Sequence, residues 1–279
     1  MNTTITKVRE LQYEELLSYD LISSLKSVEI NPVEACTRKC SFCPRSNPKL
    51  YPTTHAKISI ETCKKIGKDL AEINYTGRVG FVGFGEPLLH NKLEDCIDVV
   101  RKNNPNLSFI EVITNGDLLS HSRIQSLYAA GCNLLVISMY DRDISKQIES
   151  LRGDIPIQIV YRHHYRSEDN YNLELVNRKE IAFDNTYLNI QSPCYIPFYK
   201  LFIDWNGDIL TCQNDWNRTL SFGNVNLSSI KDIWTGDLYL NFKKTLAKGS
   251  RTIEPCNKCN VCGIKRGERE FNLFNKNFN

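Results

Sequence analysis

Apolar residues recur along the first two thirds of the chain in an order that alternates between strand and helix patterns. Five short apolar segments predict strands, at 28–33, 78–84, 107–113, 134–139 and 155–161. Segments with helical spacing predict helices, the first with Ser59 as its N-cap, at 59–75, 91–103, 119–130, 143–151 and 167–177. The segment 134–139 is almost wholly apolar, which is typical of a strand buried on both faces. The alternation predicts an α/β protein with a parallel sheet or barrel, whose chemistry lies at the carboxyl ends of the strands.

A different pattern begins near residue 191. Two apolar segments, at 199–204 and 208–211, flank Trp205-Asn206-Gly207, and Asn-Gly between apolar segments predicts a β-hairpin. An amphipathic helix is predicted around 227–247. The residues from Gly263 onwards are polar, charged and rich in Asn, so we expect a weakly ordered, solvated tail. The expected organisation is an N-terminal extension, a main α/β domain, a small second domain and a tail, at 1–27, 28–190, 191–262 and 263–279.

The composition is that of an ordinary soluble protein of 279 residues, except for its cysteines. The formal net charge of +3 is too small to argue for nucleic acid or a membrane as the main partner. The first 20 residues have no apolar core, so they do not form a signal peptide, and no apolar run is long enough to span a bilayer. The 11 cysteines are too sparse for a disulfide scaffold. Since thiols stay reduced in the cytoplasm and are used there for metal binding or catalysis, we expect a cytoplasmic protein.

Three of the cysteines, Cys36, Cys40 and Cys43, form a C-x3-C-x2-C motif directly after the first predicted strand. Sulfur ligands at this spacing on a loop favour an iron–sulfur cluster or zinc. Three thiolates leave one iron of a [4Fe–4S] cluster open for a ligand that does not come from the protein. A zinc knuckle would need a fourth ligand, and the candidate His55 lies 12 residues further on, beyond three prolines. The motif therefore favours the cluster over zinc.

The motif has an aromatic residue, Phe42, directly before its last cysteine. In this form it resembles the cluster-binding motif of the radical S-adenosylmethionine (radical SAM) superfamily, whose fold is a βα barrel. A second motif reads Gly-Phe-Gly-Glu-Pro at the end of the second predicted strand and resembles the family's GGEP motif, with Phe84 in place of a glycine. The resemblance implies that this segment meets the amino group of S-adenosylmethionine, through Gly83, Gly85 and Glu86.

Polar residues follow the next predicted strands in the same way. They are Thr114 and Asn115 at the end of the third strand, Ser138 near the end of the fourth and Arg162 after the fifth. Members of the family use such positions for the ribose and the carboxylate of S-adenosylmethionine, and a guanidinium can bind a carboxylate with two hydrogen bonds. The resemblance therefore implies a partial (β/α)6 TIM-like barrel that binds one [4Fe–4S] cluster and S-adenosylmethionine.

Five further cysteines lie beyond the barrel, at Cys194, Cys212, Cys256, Cys259 and Cys262. Their placement around a hairpin and a helix resembles the SPASM/twitch extension of radical SAM enzymes, which holds an auxiliary cluster. The full SPASM pattern needs more cysteines, so the resemblance implies the shorter twitch form, with one auxiliary [4Fe–4S] cluster on Cys194, Cys212, Cys256 and Cys259. Taken alone, this region also fits a zinc ribbon. Cys262 is left over, as an alternative ligand to Cys259, a spectator or a hydrogen-atom donor.

The other cysteines and the residues at the barrel mouth complete the set of candidates. Tyr140 and Asp141 follow the fourth predicted strand, so we expect them to contact the substrate. Three cysteines on or beside predicted helices are expected to be small buried hydrophobic residues, namely Cys63, Cys96 and Cys132.

The resemblance also implies a reaction. The reduced barrel cluster passes one electron to S-adenosylmethionine, and the resulting 5′-deoxyadenosyl radical abstracts a hydrogen atom from a substrate carbon. An auxiliary cluster with four protein ligands cannot bind S-adenosylmethionine, so it is suited to accept the second electron that alcohol oxidation releases. We therefore predict a dehydrogenase of a small polar substrate, a sugar or a cyclitol, served by an external one-electron reductant such as flavodoxin or ferredoxin.

Three alternatives stay open from the sequence. An epimerase would return a hydrogen atom to the opposite face of the substrate, with Cys262 as the donor. A peptide-modifying enzyme often has an N-terminal peptide-recognition domain, for which the 27 residues before the first strand are too few. A zinc-binding interaction module, the alternative that is not an enzyme, would contain zinc and would not depend on S-adenosylmethionine.

Overall fold

The computed structural model describes residues 20–40, 43–49, 51–164, 193–249, 251–259 and 267–278. Its strands are β1 (Ser27–Ile30), β2 (Arg78–Phe81), β3 (Phe109–Thr114), β4 (Leu134–Met139), β5 (Gln158–His163), β6 (Lys200–Ile203), β7 (Asp208–Leu210) and β8 (Ser221–Asn224). Its α-helices are α1 (Ile60–Glu72), α2 (Leu93–Asn103), α3 (His121–Ala129), α4 (Ser145–Arg152), α5 (Ile196–Tyr199), α6 (Ile230–Thr235), α7 (Asp237–Ala247) and α8 (Glu268–Phe278). None of the helices in these ranges has the length and apolar character that a membrane crossing requires.

The strands in the described ranges form one sheet, in the order β5-β4-β3-β2-β1-β6-β7-β8. Strands β1 to β5 pair in parallel with their neighbours in sequence, and one of the helices α1 to α4 lies between each consecutive pair. Strand β6 pairs in parallel with the other edge of β1, from Ser27 opposite Lys200 to Ile30 opposite Ile203. The predicted α/β architecture with six parallel strands is therefore confirmed, and its sixth strand is the first strand of the hairpin.

The hairpin predicted around Trp205-Asn206-Gly207 is confirmed. Strands β6 and β7 are antiparallel, with Phe202 opposite Leu210. Gly207 has a φ of 90°, a conformation that glycine adopts without strain. Strand β8, which is antiparallel to β7, was not predicted, because Phe222 is its only large apolar residue. The hairpin thus extends the sheet of the barrel.

Helix α1 shows how the sequence determines the outer layer. Ser59 precedes the helix in extended backbone, and its side chain accepts a hydrogen bond from the N–H of Thr62 at 3.0 Å, as predicted for an N-cap. Cys63, Ile66 and Leu70, spaced by three and four residues, have no exposed surface. The cysteines expected to be buried hydrophobic residues are confirmed as such, at Cys63, Cys96 and Cys132.

The single amphipathic helix predicted around 227–247 is wrong, because two helices, α6 and α7, occupy this segment. Gly236 lies between them in extended backbone, with a ψ of 154°. A Cβ atom at this position would lie 2.6 Å from the carbonyl oxygen of Asp232. The chain therefore turns at Gly236, and the apolar spacing on either side does not reveal the turn.

The weakly ordered tail predicted from residue 263 is wrong for 267–278, where helix α8 forms. Phe271 and Phe274 are buried, and their ring centroids lie 5.0 and 5.2 Å from that of Phe198 in α5. Two aromatic residues three positions apart share one helix face, and this face is buried although the segment is polar on average. The helix predicted at 167–177 lies outside the described residues, and the predicted domain boundary near 191 stays a prediction.

A cluster of buried charges joins β1, β2, β3 and β6. Arg78 pairs with Glu29 at 3.1 Å and with Glu111, and Lys200 Nζ lies 2.6 Å from Glu29 Oε1. Burial on its own raises the pKa of Glu29, but Lys200 and Arg78 together lower it below its usual value. The carboxylate is therefore ionised and holds two cations from neighbouring strands.

Glu29→Gln should destabilise the fold, because it leaves Lys200 and Arg78 buried without their shared carboxylate. We expect the free energy of unfolding at pH 7 to fall by about 3 kcal/mol. Since the pKa of Glu29 in the folded state lies below 4.5, the wild type loses this stabilisation as the pH falls through that range, and the difference between the two proteins shrinks. Urea unfolding followed by circular dichroism measures both effects. The exposed Glu61→Gln in α1 is the control, and equal stability of Glu29→Gln and wild type at pH 7 would refute the role.

Candidate active site

The loop 36–43 leaves the carboxyl end of β1 and carries the first cysteine motif. Its three thiols are free and partly exposed, and the N–H of Cys43 donates to the carbonyl oxygen of Cys40 at 2.9 Å. Burial, and after it the thiols of Cys43 and Cys36, raise the pKa of Cys40 to about 11. Thiols that raise one another's pKa lie close together, and a positively charged iron centre favours their thiolate forms. The loop thus fits the predicted cluster.

The described residues hold no preformed site for a single metal ion. Among them, no three side chains of His, Cys, Asp or Glu converge closely enough to hold one. His55, the alternative zinc ligand, is exposed. Two predicted site residues, Phe42 and Cys262, lie outside the described residues.

A charged clamp holds the cysteine loop at the barrel mouth. Arg38 donates through Nε and Nη2 to both carboxylate oxygens of Asp117, at 2.7 and 2.5 Å, and through Nη1 to Asp141 at 3.2 Å. Thr37 donates to Asp117 at 3.1 Å and accepts from Asn115 Nδ2 at 2.9 Å. The hydrogen bond from Arg38 lowers the pKa of Asp117, so the pair stays ionised. In the sequence, the two partners stand out only separately, as a cation inside the cysteine motif and an acidic residue after the third strand.

The two motif glycines let β2 end directly against the segment that leads into the cysteine loop. A Cβ atom on Gly83 would lie 2.1 Å from Asn31 Oδ1, and one on Gly85 would lie 2.2 Å from the carbonyl oxygen of Val33. Both distances are far shorter than a carbon atom tolerates. Glycine is therefore required at both positions because the backbone lies against other residues of the chain.

Glu86 joins the ends of β2 and β3 beside the cysteine loop. Its side chain is buried, and its carboxylate accepts hydrogen bonds from Thr114 Oγ1 at 2.6 Å, Asn115 N–H at 2.9 Å and Leu88 N–H at 3.1 Å. Burial raises the pKa of Glu86, and burial together with this carboxylate raises the pKa of Cys36. No cation in the described part of the chain pairs with Glu86. A buried carboxylate next to Cys36 suits the ammonium group of a ligand.

Ser138 and Arg162 lie opposite each other in the register of β4 and β5, so their side chains share one face of the sheet. Arg162 lies within β5 and not after it, which corrects the predicted strand end. Ser138 is buried, whereas Arg162 is exposed. Val160, two residues earlier on the same face of β5, is 50% exposed. This face is therefore accessible to a ligand in the described part of the chain.

Tyr140 and Asp141 follow β4 at the mouth, next to the cysteine loop. The Tyr140 ring stacks on the His164 ring with centroids 4.9 Å apart, and Arg38 Cζ lies 5.9 Å from the Tyr140 centroid. The Asp141 side chain bonds Arg38 and is still 63% exposed. The structure thus links the two predicted substrate contacts to the predicted cluster loop through Arg38.

Three cysteines of the second set lie near Tyr239. Cys194 precedes α5, Cys212 follows β7, and the N–H of Cys259 donates to the carbonyl oxygen of Cys256 at 3.2 Å. Burial, and after it the thiols of Cys212, Cys194 and Cys256, raise the pKa of Tyr239 well above its usual value. Three of the thiols therefore lie near one point, and Cys212, Cys256 and Cys259 are buried. The set fits a cluster that the protein encloses.

An aromatic cluster lies between the two cysteine sites. Phe84, which replaces a glycine in the GGEP-like motif, packs on Trp216 with ring centroids 4.6 Å apart, and Trp216 packs on Tyr51 at 4.8 Å. Cys43 borders this cluster, and Trp216 lies four residues after Cys212. The departure from the family motif therefore joins the barrel to the second cysteine region.

Buried polar contacts join the same two regions. Arg218, whose φ of 53° lies in the left-handed region, donates to Asp204 and to Glu34. Asn31 Nδ2 donates to Asp204 at 2.7 Å and to Glu34 at 3.1 Å, and its Oδ1 accepts from the N–H of Phe84 at 3.0 Å. The sequence does not reveal these contacts, because the partners lie as far as 184 positions apart.

A parallel α/β sheet with one thiol loop at its mouth and a second thiol set beside it defines an iron–sulfur protein. The family model of the radical SAM superfamily matches residues 30–143, and that of the SPASM iron–sulfur cluster-binding domain matches residues 194–260. The chain belongs to the radical SAM superfamily, in the group that carries a SPASM-type domain. It is a radical SAM oxidoreductase with S-adenosylmethionine and two iron–sulfur clusters as cofactors, as predicted.

Individual relatives match over almost their whole length. The S-adenosyl-L-methionine-dependent 2-deoxy-scyllo-inosamine dehydrogenase of Niallia circulans is 28% identical over 256 residues, which cover 90% of this chain and 98% of the relative. The crystal structure of BtrN in complex with AdoMet and 2-DOIA has a TM-score of 0.72 and 26% identity, over 85% of this chain and 93% of BtrN. Native anSMEcpe with bound AdoMet has a TM-score of 0.57 and 14% identity, over 90% of this chain and 96% of its own, and supports the fold alone.

Arg38→Met should weaken the first cluster site without affecting the second. It removes the clamp to Asp117 and Asp141 but keeps a side chain of similar length, so the cysteine loop loses its fixed position. We expect the iron content after anaerobic purification to fall towards half of the wild-type value, together with binding of S-adenosylmethionine. Arg152→Met, which breaks an exposed pair with Glu149, is the control. Wild-type iron content and cofactor binding in Arg38→Met would show that the clamp is dispensable.

Proposed function

We propose that this enzyme is a dehydrogenase that oxidises an alcohol of a sugar or cyclitol. The observation that carries the proposal is the presence of a second set of four cysteines besides the barrel site, three of them buried. Alcohol oxidation releases two electrons, and hydrogen-atom abstraction accounts for one of them. The likeness to a 2-deoxy-scyllo-inosamine dehydrogenase over 90% of this chain supports the cyclitol as substrate class.

When bound, S-adenosylmethionine and the clusters supply the hydrogen-atom abstraction and the electron acceptor, so that H–C–OH becomes C=O with loss of one hydrogen atom, one electron and one proton. The residues of the chain position the reacting groups and exclude water. Cys36, Cys40 and Cys43 hold the barrel cluster. The proposed ligands of the auxiliary cluster are Cys194, Cys212, Cys256 and Cys259.

The proposed contacts to S-adenosylmethionine follow the carboxyl ends of β2 to β5. Glu86, a buried carboxylate without a cationic partner in the described part of the chain, suits the ammonium group. Arg162 is exposed on the same sheet face as Ser138 and suits the carboxylate group. The further contacts are Phe42, Gly83, Gly85, Thr114 and Asn115.

Tyr140 and Asp141 are the proposed substrate contacts. Asp141 presents a largely exposed carboxylate at the mouth, which can accept hydrogen bonds from ring hydroxyls or pair with an amino group. Arg38 ties this carboxylate to the cysteine loop, so the substrate would bind close to the cofactor. The reaction requires an external one-electron reductant such as flavodoxin or ferredoxin, and a reducing compartment such as the cytoplasm keeps the thiols available.

The product assay tests the proposal. Protein purified without oxygen is incubated in heavy water with S-adenosylmethionine, dithionite and 2-deoxy-scyllo-inosamine or related cyclitols and sugars. We expect one ketone and one 5′-deoxyadenosine per turnover, without solvent deuterium at the reacting carbon. Inverted substrate that carries deuterium, and loses it in Cys262→Ala, would identify an epimerase instead.

Asp141→Asn should weaken substrate binding more than cofactor cleavage. We expect kcat/KM for the substrate to fall about tenfold, or about 1.4 kcal/mol, mainly through KM, because a charged hydrogen-bond acceptor is lost. Steady-state kinetics with separate assays of ketone and 5′-deoxyadenosine measure the effect. Asp98→Asn, which alters an exposed pair in α2, serves as the control. Unchanged kinetics in Asp141→Asn would remove this residue from the substrate site.

A further inference from the structure

Two buried polar side chains beside the second cysteine set lack hydrogen-bond acceptors within the described residues. Tyr239 is 1% exposed, and its hydroxyl group has no hydrogen-bond partner among the described residues. Arg251 is 9% exposed; its Nη1 donates to the carbonyl oxygen of Cys259 at 3.0 Å, but its Nε and Nη2 are buried without an acceptor in the part of the chain that the structure describes. A buried donor without a partner costs free energy. Such donors indicate a ligand that supplies the missing acceptors.

Packing on several sides fixes the ring of Tyr239. The ring stacks on Phe222 with centroids 4.2 Å apart and meets Trp234 edge-on at 5.1 Å. Lys243 Nζ lies 4.5 Å from its centroid. The hydroxyl group therefore cannot turn to solvent to find a partner.

Both donors lie next to the proposed ligands of the auxiliary cluster. Phe222, on which the Tyr239 ring stacks, lies in β8, and Cys212 directly follows the neighbouring strand β7. Cys256 belongs to the same buried cluster of side chains as Tyr239. Arg251 is tied to the ligand loop by its hydrogen bond to the Cys259 carbonyl oxygen.

We propose that the Tyr239 hydroxyl group and the Arg251 guanidinium group donate hydrogen bonds to sulfur atoms of the auxiliary cluster and raise its reduction potential. The inference rests on the proposed function, in which this cluster accepts the second substrate electron. Hydrogen bonds to sulfur stabilise the reduced, more negative form of a cluster, and the guanidinium adds a positive charge. The two residues thereby make the cluster a better electron acceptor without binding iron.

The test measures the reduction potential of the auxiliary cluster in Tyr239→Phe and in Arg251→Met. A full-length background in which alanine replaces Cys36, Cys40 and Cys43 retains only this cluster, so its paramagnetic resonance signal can be followed in an anaerobic redox titration. We expect each substitution to shift the one-electron equilibrium about tenfold towards the oxidised cluster, which corresponds to about 59 mV. The same titration of the holoenzyme should show the shift in the auxiliary signal.

Tyr75→Phe is the matched control, because it also removes a buried hydroxyl group, one that donates to the Arg78 carbonyl oxygen at 2.7 Å. It should leave the potential unchanged. Unaltered potentials in Tyr239→Phe and Arg251→Met, at full iron content, overturn the proposal while the proposed function stands. If Arg251→Met fails to assemble the cluster, Tyr239→Phe, which loses a single oxygen atom, decides the question. A wild-type protein with only one cluster would overturn the proposed function as well.

Discussion

The hydrogen bonds of one buried amide hold the two cofactor regions together. Asn31 has no exposed surface and stands just after β1, which lies between β2 and β6 in the sheet. Its side chain bonds the chain just after each neighbouring strand, at Phe84 and at Asp204. The barrel cysteines follow Asn31, and the second cysteine region follows Asp204. The hydrogen bonds of Asn31 therefore help to position both cysteine regions.

Buried charges give this junction its specificity. A buried ion pair adds little stability over a well-packed apolar replacement, because both charges must leave water. It does, however, accept only one arrangement of its partners. Arg218 reaches Glu34 after β1 and Asp204 after β6, so the second region can dock on the barrel in one position. Transfer of an electron from the substrate to the auxiliary cluster requires a fixed distance between the two.

The features that the sequence predicts correctly have signals confined to one segment. The apolar run at 134–139 coincides with β4, and Asn206-Gly207 between two apolar segments coincides with the turn of the β6–β7 hairpin. Arg38 and Asp117 each stand at a recognisable position in the sequence, but they lie 79 positions apart, and only the fold shows that they pair. Helix α8 was missed because its average polarity hides two phenylalanines on one face. In the sequence, Phe84 is only a departure from the motif. Its packing against Trp216 is visible only in the folded structure.

The position of β6 also has a consequence for how the chain is made. Asn31 and Asp204, at the ends of β1 and β6, are 173 positions apart. During synthesis the first half of the barrel therefore leaves the ribosome with β1 as an edge strand, whose unpaired backbone groups can pair with other chains. At ordinary rates of translation this edge stays open for a time on the order of ten seconds, until the hairpin emerges. The hairpin that leads into the second cysteine region therefore also closes the open edge of the barrel sheet.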